Sequence, residues 1–340
     1  MKVAVYYSNT DLRIEERPVP RIGEGELLVR MMASGICGTD VIEWYRRRKA
    51  PRVLGHEMAG EVAGVGGGVE EFKKGDRVFV SHHVPCQDCD YCRRGDYTAC
   101  EALHAGNYEP GGFSEYIRVP AMNVKWGTLA LPDKVGYDEA ALIEPLACVI
   151  AGQRRLRINR GDTVLVIGAG VSGLLHVQAA KRLRGARVIA TDIHPWRLQK
   201  ALEFGADRVF HADEYSEEAL KKINNGGLAA SVIVCAGAEQ AAAQAVRSAG
   251  RRGAVLFFAV PRGEIRLPAE RFWRDEISVS FSYGAAPDDL REALALIAGG
   301  RIDARSMVTH RLPLSDIQTG FGLVAGASES LKVVIVPDAS

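Results

Sequence analysis

Four cysteines, Cys86, Cys89, Cys92 and Cys100, stand in the pattern Cys-x2-Cys-x2-Cys-x7-Cys. Four thiolates so spaced can wrap one tetrahedral zinc ion, and an all-sulfur shell leaves no open position. Such a metal is structural: it staples a loop too polar to fold on a core of its own. An iron–sulfur cluster draws on the same ligand type, whereas a nucleic-acid zinc ribbon is disfavoured by the acidic neighbours Asp88, Asp90, Asp96 and Glu101. A second set is dispersed: Cys37 in Cys37-Gly38-Thr39-Asp40, His56 and Glu57 in Gly55-His56-Glu57, and Glu144 in Ile143-Glu144-Pro145. A mixed sulfur, nitrogen and oxygen shell with room for water or substrate belongs to a catalytic zinc site rather than a closed one. Two zinc ions per chain are therefore expected.

A third motif, Gly168-Ala169-Gly170-Val171-Ser172-Gly173, follows an apolar run and opens a helical one. Gly168 makes the tight turn, Gly170 lets backbone approach a pyrophosphate, and Gly173 lets helix pack close on strand. The N–H groups of Val171 and Ser172 open a helix whose positive end suits phosphates. Asp192 closes the next strand, where a carboxylate accepts both ribose hydroxyls and repels a 2′-phosphate, so NAD is expected rather than NADP. Arg197, five residues on, is the cation that would soften this preference by meeting a phosphate.

These residues need elements to position them. At 340 residues, two domains are expected. Hydrophobic residues at 47% and charged residues at 25% fit a globular chain and exclude disorder. The balance of 43 basic against 42 acidic residues lacks the basic excess of nucleic-acid binders. The longest apolar run, 254–261, is less than half the roughly 20 residues that span a bilayer. Residues 1–7 read as a strand rather than a signal peptide, and seven cysteines, an odd number with four of them clustered, suit a metal in a reducing compartment better than disulfides. A cytoplasmic protein is expected, with no membrane partner.

Up to about residue 140, short strand-like runs (27–32, 61–65, 77–80, 113–119) alternate with Gly and Pro, which predicts a small all-β barrel or sandwich. From about 146 the rhythm becomes strand, helix, strand, with buried-type runs at 163–167, 187–191, 207–210, 231–235, 254–258 and 277–281. That rhythm predicts an α/β parallel doubly wound sheet. A helix at 288–298 follows, and the apolar run 331–336 lies outside the six-strand count, so it is expected to return to the first domain.

Taken in order, the Cys37, His56, four-cysteine and glycine motifs resemble the zinc-containing medium-chain dehydrogenases of the alcohol dehydrogenase family, over essentially the whole chain. That resemblance implies a GroES-like β-barrel catalytic domain (1–146 and 286–340) carrying a structural zinc lobe near 82–104, with a Rossmann domain (147–285) inserted. Alcohol dehydrogenase holds its catalytic zinc with two Cys and one His; here the second Cys position is Glu144, as in the sorbitol (iditol) and threonine dehydrogenase-like branch. By this likeness Cys37 and His56 bind the catalytic zinc, Glu57 and Glu144 complete its shell directly or through water, and Thr39 places its hydroxyl against the substrate oxygen. The implied reaction is hydride transfer between NAD and a secondary alcohol, most simply a polyol, sugar or cyclitol. L-threonine 3-dehydrogenase and 2,3-butanediol dehydrogenase activities are the enzymatic alternatives, and an NAD(H)-binding redox sensor the non-enzymatic one. Relatives often carry a proton-relaying histidine five residues after the first zinc Cys; here that residue is Ile42, which leaves Glu43, Glu57 or water to take the proton. A homo-oligomer, dimer or tetramer, is expected by analogy, with the edge strand 277–281 free to pair.

Glu43-Trp44-Tyr45-Arg46-Arg47-Arg48-Lys49 borders the substrate in relatives. Trp44 or Tyr45 could stack on a sugar-like ring and one Arg could pair with a carboxylate or phosphate, although a basic run reads first as a solvated face. His82 and His83 read as exposed loop residues, and Cys148 and Cys235 as buried core.

Overall fold

The computed structural model describes residues 1–327 and 329–339. The chain divides into two units, one of residues 1–147, 284–300 and 304–340, the other of 148–283 and 301–303.

The first unit is built on a seven-stranded sheet ordered Val308–Pro313, Lys332–Val336, Leu27–Gly35, Glu57–Val65, Arg77–Ser81, Thr128–Ala130, with Tyr116–Val119 also pairing with Leu27–Gly35. The central strand alternates as a half-buried strand must: Leu27, Val29, Met31 and Ala33 are fully buried and Arg30 faces out. Leu27, Val29 and Met31 pack with Met58, Val62, Val80, Phe113, Ile117 and Phe321 into one core. The apolar run at 331–336 enters this sheet as Lys332–Val336, antiparallel to Leu27–Gly35 with Val334 opposite Gly35. A second sheet of three strands, Asp11–Glu16, Lys2–Ser8 and Arg52–Val53, and the helices Pro287–Ala298 and Ile317–Gly326 complete the unit. Two readings shift. The strand expected at 61–65 begins at Glu57, and the one expected at 113–119 is confined to Tyr116–Val119.

The second unit is a six-stranded, all-parallel sheet in the order Arg208–His211, Arg187–Asp192, Thr163–Ile167, Ala229–Val234, Ala249–Phe257, Ser278–Phe281. In chain order this is 3-2-1-4-5-6, the dinucleotide-binding arrangement. Its first strand, Thr-Val-Leu-Val-Ile, is buried at every position, as a sheet covered on both faces requires. Among the described residues no helix is long and apolar enough to cross a membrane.

Candidate active site

The four-cysteine lobe is local. Short turns at Asp90–Arg93, Tyr97–Ala99 and Glu101–Ala105 fold it back on itself, and its core is little more than Cys92, Cys100 and Leu103. The sulfurs of Cys86 and Cys92 lie 3.9 Å apart, those of Cys89 and Cys92 3.6 Å, and those of Cys100 and Cys86 3.6 Å. A tetrahedral zinc with bonds of about 2.3 Å sets its sulfurs about 3.8 Å apart, so this cage has the size of a zinc shell and is far too open for disulfides. Backbone N–H groups of Asp88 and Cys89 pull the Cys86 thiol down to about 6, while burial pushes Cys92 up to about 12; a cation would hold all four as thiolates.

The second cluster is assembled by strand register. In the seven-stranded sheet Gly35 pairs with Glu57 on one side and Val334 on the other. Cys37 and His56 flank that row, and the ligand atoms of Cys37, His56 and Glu57 all lie within 4.8 Å of one another. A Cβ on Gly35 would overlap the Glu57 carboxylate and crowd Lys332, so only glycine lets these two side chains meet across the strand. They form an ion pair, Glu57 being 1% and Lys332 2% exposed. Burial works against the Lys332 charge, but Glu57, Cys37 and Glu144 outweigh it and hold its pKa above the usual lysine range.

Asp40, the last residue of the Cys37-Gly38-Thr39-Asp40 motif, is fully buried and serves three partners. It accepts from the Cys37 N–H (3.1 Å) and from Arg46 Nη2 (3.2 Å), and lies 3.4 Å from His56 Nδ1. Burial opposes its charge, but His56, Arg46 and the Cys37 N–H hold its pKa below the usual range. A carboxylate on Nδ1 fixes the ring and turns Nε2 toward a metal. Thr39 donates its hydroxyl to Cys37 Sγ (3.3 Å). The sulfur, nitrogen and oxygen donors fit a catalytic zinc. Glu144, on the helix Ile143–Arg154, falls outside the tight group of three. Its charge still reaches Lys332 and Tyr108, whose pKa burial and then Glu144 raise well above the usual tyrosine range.

Several surroundings differ from their sequence reading. His82 is buried, not an exposed loop residue: Asn123 Nδ2 holds the backbone at Ser81 and His82 (2.9 and 3.0 Å), and the His82 ring lies 4.9 Å from His56 and 3.7 Å from His83. His83 is half-buried. Within the basic run, Arg47, Arg48 and Lys49 are exposed but Arg46 turns inward. Cys148 and Cys235 are half-buried rather than core. Lys332 and Tyr108 were missed altogether; the one lysine in the apolar run 331–336 was the available signal for the first.

In the second unit Gly168 takes φ +94°, and a Cβ on Gly173 would strike the Gly168 carbonyl. The helix Val171–Arg184 starts here, so the N–H groups of Val171, Ser172 and Gly173 have no partner within it. Asp192 Oδ2 accepts the Ala169 N–H (2.7 Å) and Oδ1 the His194 N–H (2.9 Å), which locks the carboxylate to the glycine turn and leaves each oxygen a lone pair. Arg197 Nη1 lies 3.6 Å from where a Cβ on Gly170 would sit.

Residues 23–132 match the alcohol dehydrogenase GroES-like domain and residues 172–299 the zinc-binding dehydrogenase domain. The chain is 33% identical to sorbitol dehydrogenase of Bacillus subtilis (strain 168), over 99% of this chain and 98% of that one. It is 34% identical to L-galactonate-5-dehydrogenase of Escherichia coli (strain K12), over 93% of each. A zinc-binding dehydrogenase of Sinorhizobium meliloti 1021, solved with NADP, superposes with a TM-score of 0.87 at 29% identity, covering 99% of both chains. Likeness of this extent shows that the chain belongs to the zinc-dependent medium-chain alcohol dehydrogenase family, in its sorbitol dehydrogenase-like branch.

Proposed function

We propose that this enzyme oxidises a secondary alcohol of a polyol, sugar or sugar acid, with NAD as hydride acceptor. The observation that carries the reading is the mixed cluster of Cys37, His56 and Glu57, braced by Asp40 and Lys332. The relatives named for sorbitol and L-galactonate support a polyhydroxy substrate.

Cys37 and His56 would hold zinc, with Glu57 and Glu144 supplying carboxylates. Zinc there provides Lewis-acid polarisation of the alcohol oxygen, and NAD the electron sink. Asp40 keeps the His56 ring oriented, and Lys332 pairs with the Glu57 carboxylate and holds it in place. Thr39 offers its hydroxyl to the substrate oxygen. Ile42 cannot accept a proton, so the relay beyond Thr39 falls to Glu43, Glu57 or water. Gly168, Gly170, Gly173 and the first N–H groups of the following helix bind the pyrophosphate, and Asp192 the ribose hydroxyls. Although the Sinorhizobium protein was solved with NADP, the Asp192 carboxylate, pinned at two backbone N–H groups, favours NAD by repelling a 2′-phosphate; Arg197 moderates that preference. The cysteine cage holds the second zinc.

Metal content measured by mass spectrometry, paired with NADH formation on a panel of polyols and aldonates, tests this. About two zinc ions per chain, with activity lost as the first is chelated, is the expected result. One zinc ion and no turnover of any alcohol would overturn it in favour of a redox sensor, and a lower KM for NADPH than for NADH would overturn the cofactor assignment. The reduced thiol cage supports a cytoplasmic location. The exposed Phe281 on the edge strand Ser278–Phe281, with Trp273 81% exposed nearby in sequence, supports self-association; light scattering showing a monomer would sink that reading.

A further inference from the structure

We propose that Arg46 is a positioning residue for the reaction, holding the Thr39 hydroxyl and the Asp40–His56 pair in their working geometry. The inference rests on the function proposed above and assigns this residue a part in it.

Arg46 ends the short helix Glu43–Arg46, and its side chain is 17% exposed whereas its three basic successors face solvent. Its guanidinium lies back along the metal-ligand motif. Nε donates to the Thr39 carbonyl (3.0 Å), and Nη2 donates to the Thr39 hydroxyl (3.0 Å) and to Asp40 Oδ1 (3.2 Å). That same Oδ1 is the oxygen facing His56 Nδ1. One planar fork therefore ties together the hydroxyl that meets substrate and the carboxylate that orients a metal ligand.

The hydroxyl's bonding capacity makes the consequence specific. Thr39 Oγ1 has one proton and two lone pairs. Arg46 occupies one lone pair permanently, because a guanidinium does not give up its proton. The Thr39 proton, directed at Cys37 Sγ in the free chain, and one lone pair then remain for the substrate oxygen, so the hydroxyl meets substrate in one arrangement. Without Arg46 the hydroxyl is free to rotate, and the fully buried Asp40 keeps His56 as its sole side-chain donor among its contacts with the described residues. A lysine restores the charge, but its single ammonium cannot reproduce a fork that reaches a carbonyl, a hydroxyl and a carboxylate together.

The test compares Arg46→Met and Arg46→Lys with the wild-type holoenzyme, on polyols, a simple secondary alcohol and an aldonate. Loss of an outer partner of a metal site costs on the order of 10–100-fold. Arg46→Met should lose about that much kcat on every substrate while KM moves less than about threefold, with zinc content and NADH affinity unchanged; Arg46→Lys should recover part of the loss. Loaded with cobalt(II) instead, Arg46→Met should also show shifted visible bands, a readout independent of turnover. An Arg46→Met kcat within threefold of wild type, or unshifted cobalt bands, overturns the proposal. So does loss of zinc, which would make the role structural, or a loss confined to the aldonate, which would make Arg46 a reader of substrate charge. Wild-type inactivity on every alcohol would instead sink the proposed function, and the cobalt spectra would still decide the placement of Arg46.

Discussion

The two proposed metal-ligand clusters of this enzyme are built on opposite plans. The four-cysteine cage draws its ligands from one short stretch, folds on a core of a few side chains, and is dressed by exposed charges such as Arg93, Asp88 and Asp90. The Cys37–His56–Glu57 cluster gathers its ligands through strand pairing, and its supporting charges Asp40 and Lys332 are buried. Where the metal only staples a loop, the four sulfurs are the whole device. Where the metal must share its shell with a substrate, the ligands fill only part of it and the protein behind them must hold them in place.

The largest contrast is expected from removing one sulfur at each cluster. Cys37→Ser should cost at least about 1000-fold in kcat, because several kcal/mol of oxygen polarisation go with the metal. One zinc ion should leave, while NADH binding and the melting temperature stay close to wild type. Cys92→Ser should release the other zinc ion and expose the lobe to proteolysis between residues 82 and 104, since little else folds it. Mild chelation should take the Cys37-site metal first. If Cys37→Ser kept its kcat, or if Cys92→Ser were as protease-resistant as wild type, the division into open and closed sites would not stand.

Next in size is the buried ion pair. Lys332→Met leaves the buried Glu57 carboxyl without its partner, and breaking a buried pair in this way costs about 3–5 kcal/mol. Denaturant unfolding of the metal-free protein should show that loss, and Glu57→Gln on top of it should return most of the stability by removing the unpartnered carboxyl. A loss below about 1 kcal/mol would mean that Glu57 finds other partners and that the buried support is weaker than argued.

Asp40→Asn is expected to be smaller at the level of folding but clear at the metal. The amide keeps the shape and loses the charge that orients His56 Nδ1, so zinc affinity at the Cys37 site should fall about 10–100-fold. Competition with a chromophoric chelator reads this directly, and the cysteine-cage zinc in the same sample should keep its affinity.

The same contrast explains what could be read from the chain alone. The cage is legible because its spacing is its geometry: residues 86 to 100 bring their own sulfurs together. The parallel sheet and the glycine turn are legible for a similar reason, since buried strands and a strand–turn–helix are local patterns. The Cys37 cluster is legible only from its company in the chain and from family resemblance, because the register that sets Glu57 opposite Gly35 is a long-range pairing. Lys332 arrives from nearly three hundred residues away on the strand beside it. His82 and Arg46 were misread for a related cause. A polar loop or a basic run is usually solvated, and what buries these two is tertiary: Asn123 pinning the backbone of one, and Asp40 with Thr39 capturing the guanidinium of the other.

The smallest effect belongs to the dressing of the cage. Arg93 bridges Asp88 at 2.9 Å and Asp90 at 3.6 Å, but all three side chains are more than 60% exposed. In water such pairs give back in side-chain entropy most of what attraction supplies, and salt screens the remainder. Arg93→Ala should therefore shift stability by no more than about 0.5 kcal/mol and leave cage zinc affinity unchanged. The measurement is demanding but informative, because Arg93 stands to this cage as Lys332 stands to the Cys37 cluster: each is the cation paired with a neighbouring carboxylate. A tenfold fall in zinc retention in Arg93→Ala would show that the closed site also depends on outer charge, and burial would no longer be what separates the two plans.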